Sequence, residues 1–257
     1  MTRRRWIADE FSGTRAALTG AHAAHLSRTL RARVGQQFEV ACGDQVRRAT
    51  VANVQDERVE FTLGEEVTAR EAVPITLLLA VFKFDRMEWA IEKCTELNVT
   101  TIIPVIARRT EKHLAVAADK RVERWRRIAR EAAEQSRRIA PPEIADPVKL
   151  KEALAHLHVG DIPAVVPGED SGPSQATCCD LRIVLAETES EATLSEVLRA
   201  HDYVTSLALA VGPEGGWTAE ELQLFELSHW VAASLGDTIL RAETAAISAV
   251  AIARAGC

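Results

Sequence analysis

In the last quarter of the chain, two apolar runs each break into a glycine-containing loop that opens a helix. In LALAVGPEGGWTAEE, residues 207–211 lead into Gly212, Pro213, Glu214, Gly215 and Gly216. In WVAASLGDTILRAETAAISAVAIARA, residues 231–235 lead into Gly236 and Asp237, then Ile239, Leu240 and Arg241, and an alanine-rich segment without glycine or proline until Gly256. Short apolar runs bounded by turn formers predict buried strands. Thr218 and Glu221 have capping-box spacing, so the first loop enters a helix directly and its geometry is fixed.

Upstream the same alternation repeats. ITLLLAVFK predicts a buried strand, and FDRMEWAIEKCTELNV a helix with Met87, Ala90, Ile91, Cys94 and Leu97 toward the core. TTIIPVIA predicts the next strand. DKRVERWRRIAREAAEQSRRIAPP predicts a helix with the stripe Val122, Trp125, Ile128, Ala129 and Ala132, stopped by Pro141 and Pro142. LRIVLAETE predicts a further strand. Strands alternating with helices argue for an α/β domain with a mainly parallel sheet, and ligands reach such sheets at the carboxyl ends of the strands. Three loops lie there: 186–188, 212–216 and 235–241. Glycine permits close backbone approach, and exposed loop amides can hydrogen-bond a flat heterocycle such as adenine.

The first 63 residues read differently, as a small β-rich unit built from WIADEF, QQFEVACG, QVRRATVANV and RVEFTL. Within it, HAAHLSRTLRARVG places Leu26, Leu30 and Val34 at helical spacing beside His25, Arg28, Arg31 and Arg33. That pattern suits an RNA-facing helix, or a short helix whose arginines only solubilise it.

A net charge of −6 argues against a protein that coats nucleic acid, but the charge is segregated. Residues 1–50 carry nine Arg against four acids, and residues 108–138 eleven Lys or Arg against five. Residues 186–237 carry ten acids against one Arg. Basic front and middle parts suit contact with a polyanion. The longest apolar run, 77–82, is too short to span a bilayer, and MTRRRWIADEF lacks a secretory signal's apolar core, so a cytoplasmic protein is expected. Five scattered cysteines with no C-x-x-C pair predict reduced thiols and no metal site.

No G-x-x-x-x-G-K-[ST], G-x-G-x-x-G or G-x-S-x-G occurs, which disfavours ATP hydrolysis, dinucleotide binding and serine hydrolase chemistry. Glu187, Glu214 and Glu243 are the carboxylates nearest the expected pocket, each a base or a loop cap.

KFDRMEWAIEKCTELNVTTIIPV, EAAEQSRR before the two prolines, AVGPEGGWTAEE and LGDTILRAETAA together resemble the RsmE family of 16S ribosomal RNA uridine N3-methyltransferases, over nearly the whole chain. The resemblance implies a small N-terminal β-rich PUA-like RNA-binding domain (1–70) and a C-terminal α/β SPOUT-type methyltransferase domain tied in a trefoil knot (74–257). It implies S-adenosyl-L-methionine as cofactor, a homodimer, and 16S ribosomal RNA, within the small subunit, as partner. Carried over, the cofactor loops comprise Leu185, Ala186 and Glu187; Gly212, Pro213, Glu214, Gly215 and Gly216; and Leu235, Gly236, Ile239, Leu240 and Arg241. Arg241 either holds the uracil and its developing charge or braces the loop. The residues expected to meet RNA are His25, Arg28, Arg31, Lys83, Arg86, Gln135, Arg137 and Arg138. Two positions depart from the family: Asn98 and Arg137 stand where it usually has glycine. A non-catalytic RNA-binding assembly factor, or an enzyme acting on a small metabolite, remains the alternative.

Overall fold

The computed structural model describes residues 5–43, 45–67, 72–157, 179–186, 192–201 and 204–256. It contains two compact units, Met1–Glu71 with Ala129–Pro142, and Ala72–Ile128 with Glu143–Cys257.

The first unit comprises β1 (Arg5–Ile7), β2 (Glu10–Ser12), β3 (Arg15–Thr19), α1 (Gly20–Ala24), β4 (Gln37–Cys42), β5 (Gln45–Gln55) and β6 (Arg58–Glu66). Its sheet runs β1-β4-β5-β6-β3-β2, antiparallel except for the β1–β4 pair. Period-two alternation sets its core: Val59, Phe61 and Leu63 of β6 are buried while Glu60, Thr62 and Gly64 are not. Trp6, Leu18, Leu26 and Val40 complete that core. Strand β3 has no counterpart in the sequence reading, because RAALT is too short and too alanine-rich to show alternation.

The helix expected across HAAHLSRTLRARVG is cut short. After α1 comes a single π turn, His25–Thr29, and Arg31 adopts a left-handed backbone at φ 52. Leu26 is buried, but Leu30 and Val34 are 44% and 65% exposed, contrary to the helical spacing. The Ala32 amide closes the turn on the Leu26 carbonyl, and Ser27 Oγ donates to the Ala24 and Asp56 carbonyls. Side-chain bonds to the backbone of this kind compete with helix propagation.

The second unit holds β7 (Ile75–Ala80), α2 (Phe84–Glu96), β8 (Thr101–Ile106), α3 (Lys112–Ala117), α4 (Val122–Gln135), β9 (Glu143–Ile144), β10 (Val148–Lys149), α5 (Leu150–His156), β11 (Cys179–Leu185), α6 (Leu194–Arg199), β12 (Val204–Val211), α7 (Ala219–Leu227), β13 (Val231–Ala233) and α8 (Ala242–Gly256), with α4 passing into the first unit from Ala129. Its sheet runs β10-β8-β7-β12-β11-β13, with β9 also on β8, and every pairing is parallel. The α/β reading of the sequence is therefore correct. Leu77, Leu78 and Leu79 are all fully buried, as a central parallel strand covered on both faces requires. Leu78, Ala80, Val105, Val184 and Ala210 pack with Leu150, Leu154 and Phe225 of α5 and α7. Helix α8 packs against α2, α6 and β12. No helix among the described residues is long and apolar enough to cross a membrane.

Three helices end alike. The amides of Val99, Arg138 and Trp230 reach back to the carbonyls of Cys94, Ala133 and Phe225 at 3.1, 2.9 and 3.0 Å. This leaves Asn98, Arg137 and His229 left-handed at φ 65, 63 and 59. Such an end favours glycine. Two of the three, Asn98 and Arg137, are the positions where the resemblance implies glycine. Helix α4 thus stops at Gln135 through this turn, and not at the prolines as expected.

Candidate functional site

A cavity of about 420 Å³ opens at the carboxyl ends of β11, β12 and β13. Leu185 and Ala186 line it at the end of β11, residues 212–217 after β12, and residues 233–242 from β13 into α8, with Arg86 from the first turn of α2 and Arg109 from the turn after β8. All three loops foreseen from the sequence thus face one space; Glu187 and Thr188 lie outside the described residues.

The wall after β12 is tightly built. A Cβ on Gly212 meets Trp217 Nε1 at 3.2 Å, and one on Gly215 meets Arg109 Cδ at 3.3 Å. Gly216 is left-handed at φ 68, and its amide donates to the Pro213 carbonyl at 2.8 Å. Thr218 caps α7 in the capping box that the spacing implied. Glu221, 2% exposed, accepts from the Thr218 amide at 2.9 Å and the Arg108 amide at 2.8 Å. Arg109 donates to the carbonyls of Gly215 and Trp217. Below, Trp217, Phe225 and Trp230 stack edge to face at 5.0 and 5.1 Å. These bonds leave the amides of Glu214, Gly215 and Trp217 with no partner among the described residues. They are donors available to a ligand.

The wall after β13 is looser. The Ser234 amide bonds the Ala192 carbonyl, and the Leu194 amide bonds that of Ser234. Beyond them Gly236 sits at φ 117, Ile239 is 80% exposed, and Arg241 is exposed with its guanidinium unpaired among the described residues.

Lys83 and Arg86, read from the sequence as RNA contacts, both reach Glu214 in the loop after β12. Glu214 accepts from Arg86 at 2.9 Å and lies 3.7 Å from Lys83 Nζ. Arg86 Nε also lies 3.7 Å from Glu243, whose side chain is 5% exposed. The remaining RNA candidates fall in the first unit. His25 is half-buried against Trp6, Arg28 pairs with Asp56 at 3.1 Å, and Arg31 and Gln135 are exposed. Arg137 pairs with Glu39 at 2.7 Å, Glu39 also pairs with Arg5 at 3.0 Å, and Arg138 is half-buried. Burial pushes the Glu39 carboxyl up, but the Arg5 and Arg137 guanidinium groups outweigh it and hold the acid below its ordinary range.

Arg109, Trp217 and the Glu221–Arg108 bond were missed from sequence. The available signal was position: RRT directly follows a predicted strand, at the sheet end where ligands approach. The described residues contain no group of three side chains suited to a metal ion. Cys94 is inert, its thiol pushed up to about 12 by burial.

Residues 69–254 match the family model of the RNA methyltransferase domain. The chain is 32% identical over 236 residues to ribosomal RNA small subunit methyltransferase E of Synechocystis, covering 91% of this chain and 71% of that protein. It is 32% identical over 251 residues to the protein of the same name from Mycobacterium bovis, covering 95% and 87%. Among solved structures, ribosomal RNA small subunit methyltransferase E from Neisseria gonorrhoeae bound to S-adenosyl methionine superposes with a TM-score of 0.77 at 28% identity, covering 96% of this chain and 95% of that one. A putative methyltransferase from Legionella pneumophila in complex with the same cofactor gives 0.74 at 25%, covering 98% and 96%.

Proposed function

Since this chain belongs to the ribosomal RNA small subunit methyltransferase E family of RNA methyltransferases, we propose that it methylates N3 of a uridine in 16S ribosomal RNA with S-adenosylmethionine as donor. The observation that carries the reading is the wall after β12, a braced glycine loop that lines a cavity of about 420 Å³ and has three amides without a partner among the described residues. That volume lies in the range of small-molecule sites. The fit is chemical as well. Backbone donors suit a purine edge, and the absence of Cβ atoms at Gly212 and Gly215 keeps the space that Trp217 and Arg109 occupy.

Residues 185–187, 212–217 and 235–241 hold the cofactor, which supplies an electrophilic methyl on a sulfonium. The chain's own part is positioning and charge. The tied loop fixes one reactant, and Arg241, beside the same cavity and unpaired among the described residues, offers a cation to the negative charge that develops on the uracil as N3 loses its proton. Arg28, Arg31, Gln135, Arg137 and Arg138 hold the RNA, chiefly through phosphates. Lys83 and Arg86 of the second unit are assigned to RNA as well.

The finer architecture belongs to the same reading: a PUA-like domain over 1–70, a trefoil-knotted SPOUT domain over 74–257, a homodimer, and action on the small ribosomal subunit in the cytoplasm. The motif resemblance supports the domain, knot, dimer and subunit assignments, and the short apolar runs of the sequence support the cytoplasmic one.

The test is tritiated methyl transfer to small-subunit RNA, free and in assembled particles, with mapping of the modified base. Label at N3 of one uridine is the expected result. Cofactor binding without transfer to any RNA form sinks the reading in favour of a non-catalytic role.

A further inference from the structure

Three arginines line the cavity, and they are not equivalent. Arg86 is held by carboxylates and Arg241 is unpaired among the described residues, whereas Arg109 is bonded to the carbonyls of the glycine loop itself. We propose that Arg109 is a positioning residue for the methyl donor, holding loop 212–217 in its binding shape; this rests on the functional reading above.

Four observations converge. A single guanidinium nitrogen, Nη1, donates to two carbonyls of the loop, Gly215 and Trp217, and so ties its middle to its exit. The aliphatic stem packs on Gly215, with Cδ, Cβ and Cγ at 3.3, 3.6 and 4.0 Å from where a Cβ would stand. The turn carrying Arg109 is itself clamped: Thr110 Oγ1 accepts from the Ala107 amide and donates to the Val81 carbonyl, both at 3.1 Å. The adjacent Arg108 amide is taken by buried Glu221, which also caps α7 at the far end of the loop. The turn after β8 is thus a fixed base, and Arg109 transmits its position to the loop.

Hydrogen bonds from a charged donor are among the stronger ones, so Arg109→Met, which keeps the stem, is expected to weaken calorimetric S-adenosylmethionine binding by roughly 10- to 100-fold. KM for the cofactor should rise by the same factor. At saturating cofactor kcat should hold, and RNA affinity and Tm should be unmoved. Arg109→Lys should recover part of the loss. Gly215→Ala gives a second measurement, since the Gly215 backbone does not need positive φ. It should weaken cofactor binding when Arg109 is present and be nearly neutral in Arg109→Ala, a non-additivity that reports their contact. Equal affinity of wild type and Arg109→Met overturns the proposal, as do additive Gly215 and Arg109 effects, or Tm and RNA affinity falling in step with cofactor affinity. A wild-type protein that binds no S-adenosylmethionine overturns the functional reading as well.

Discussion

Two loops face one cavity in this protein, and they are built on opposite plans. Loop 212–217 has its carbonyls taken by Arg109, its exit capped by Glu221 and its glycines pressed against Trp217 and Arg109. Loop 235–241 leaves Ile239 80% exposed and Arg241 unpaired among the described residues. A preorganised wall loses little entropy when a ligand binds. An open wall keeps a charge available for whatever arrives next. The same contrast recurs in the first unit, where Arg28 pairs with Asp56 at 3.1 Å and nearby Arg31 has no pair among the described residues.

The contrast can be broken experimentally. The largest effect is expected at the open loop: Arg241→Ala should lower the methylation rate at saturating cofactor by about 10²–10³. A full rate with unaltered affinity would leave Arg241 as a bystander. Next, Glu221→Ala strips a buried acceptor from two amides and should cost about 1–3 kcal/mol in urea unfolding. Asp237→Ala on the open loop should stay within about 0.5 kcal/mol. Equal costs would show that both loops are tied alike.

In the first unit, Arg31→Glu should weaken RNA binding more than Arg28→Glu, because Arg28 must first leave Asp56. Each reversal should lower the salt slope of RNA binding by about one. Unchanged affinity in both would remove this segment from the RNA surface. The smallest effect concerns the turn that leads into β13. His229→Gly should raise stability by about 0.5–1 kcal/mol by relieving its left-handed backbone, and Asn98→Gly by less, since asparagine tolerates that region. A destabilised His229→Gly protein would mean that the imidazole contributes more than the strain costs.

Much of the site could be read directly, because a parallel α/β sheet brings its loops to one end whatever the intervening sequence. Apolar runs at 77–82 and 207–211, the Thr218–Glu221 spacing and the alanine-rich C-terminal helix are local signals, and local physics enforces them. Helix ends were less legible. Pro141 and Pro142 looked like the stop of α4, but a left-handed Arg137 ends it earlier, and nothing local marks an arginine for a conformation that glycine usually fills. The spacing of Leu26, Leu30 and Val34 was likewise helical on paper, until Ser27 and the Asp56 turn closed the segment.

The sequence alone therefore determined the segregation of charge, the parallel sheet and the loops that line the cavity, since periodicity, turn chemistry and charge act over a few residues. Only the tertiary structure decided which arginine does what. Arg109, Arg86 and Arg241 are the same side chain, each just past the carboxyl end of an expected strand. One is spent on carbonyls 106 and 108 residues away, one on carboxylates 128 and 157 residues away, and one on nothing within the described chain. Contacts at that separation are set by how strands stack in a sheet, which no local pattern records.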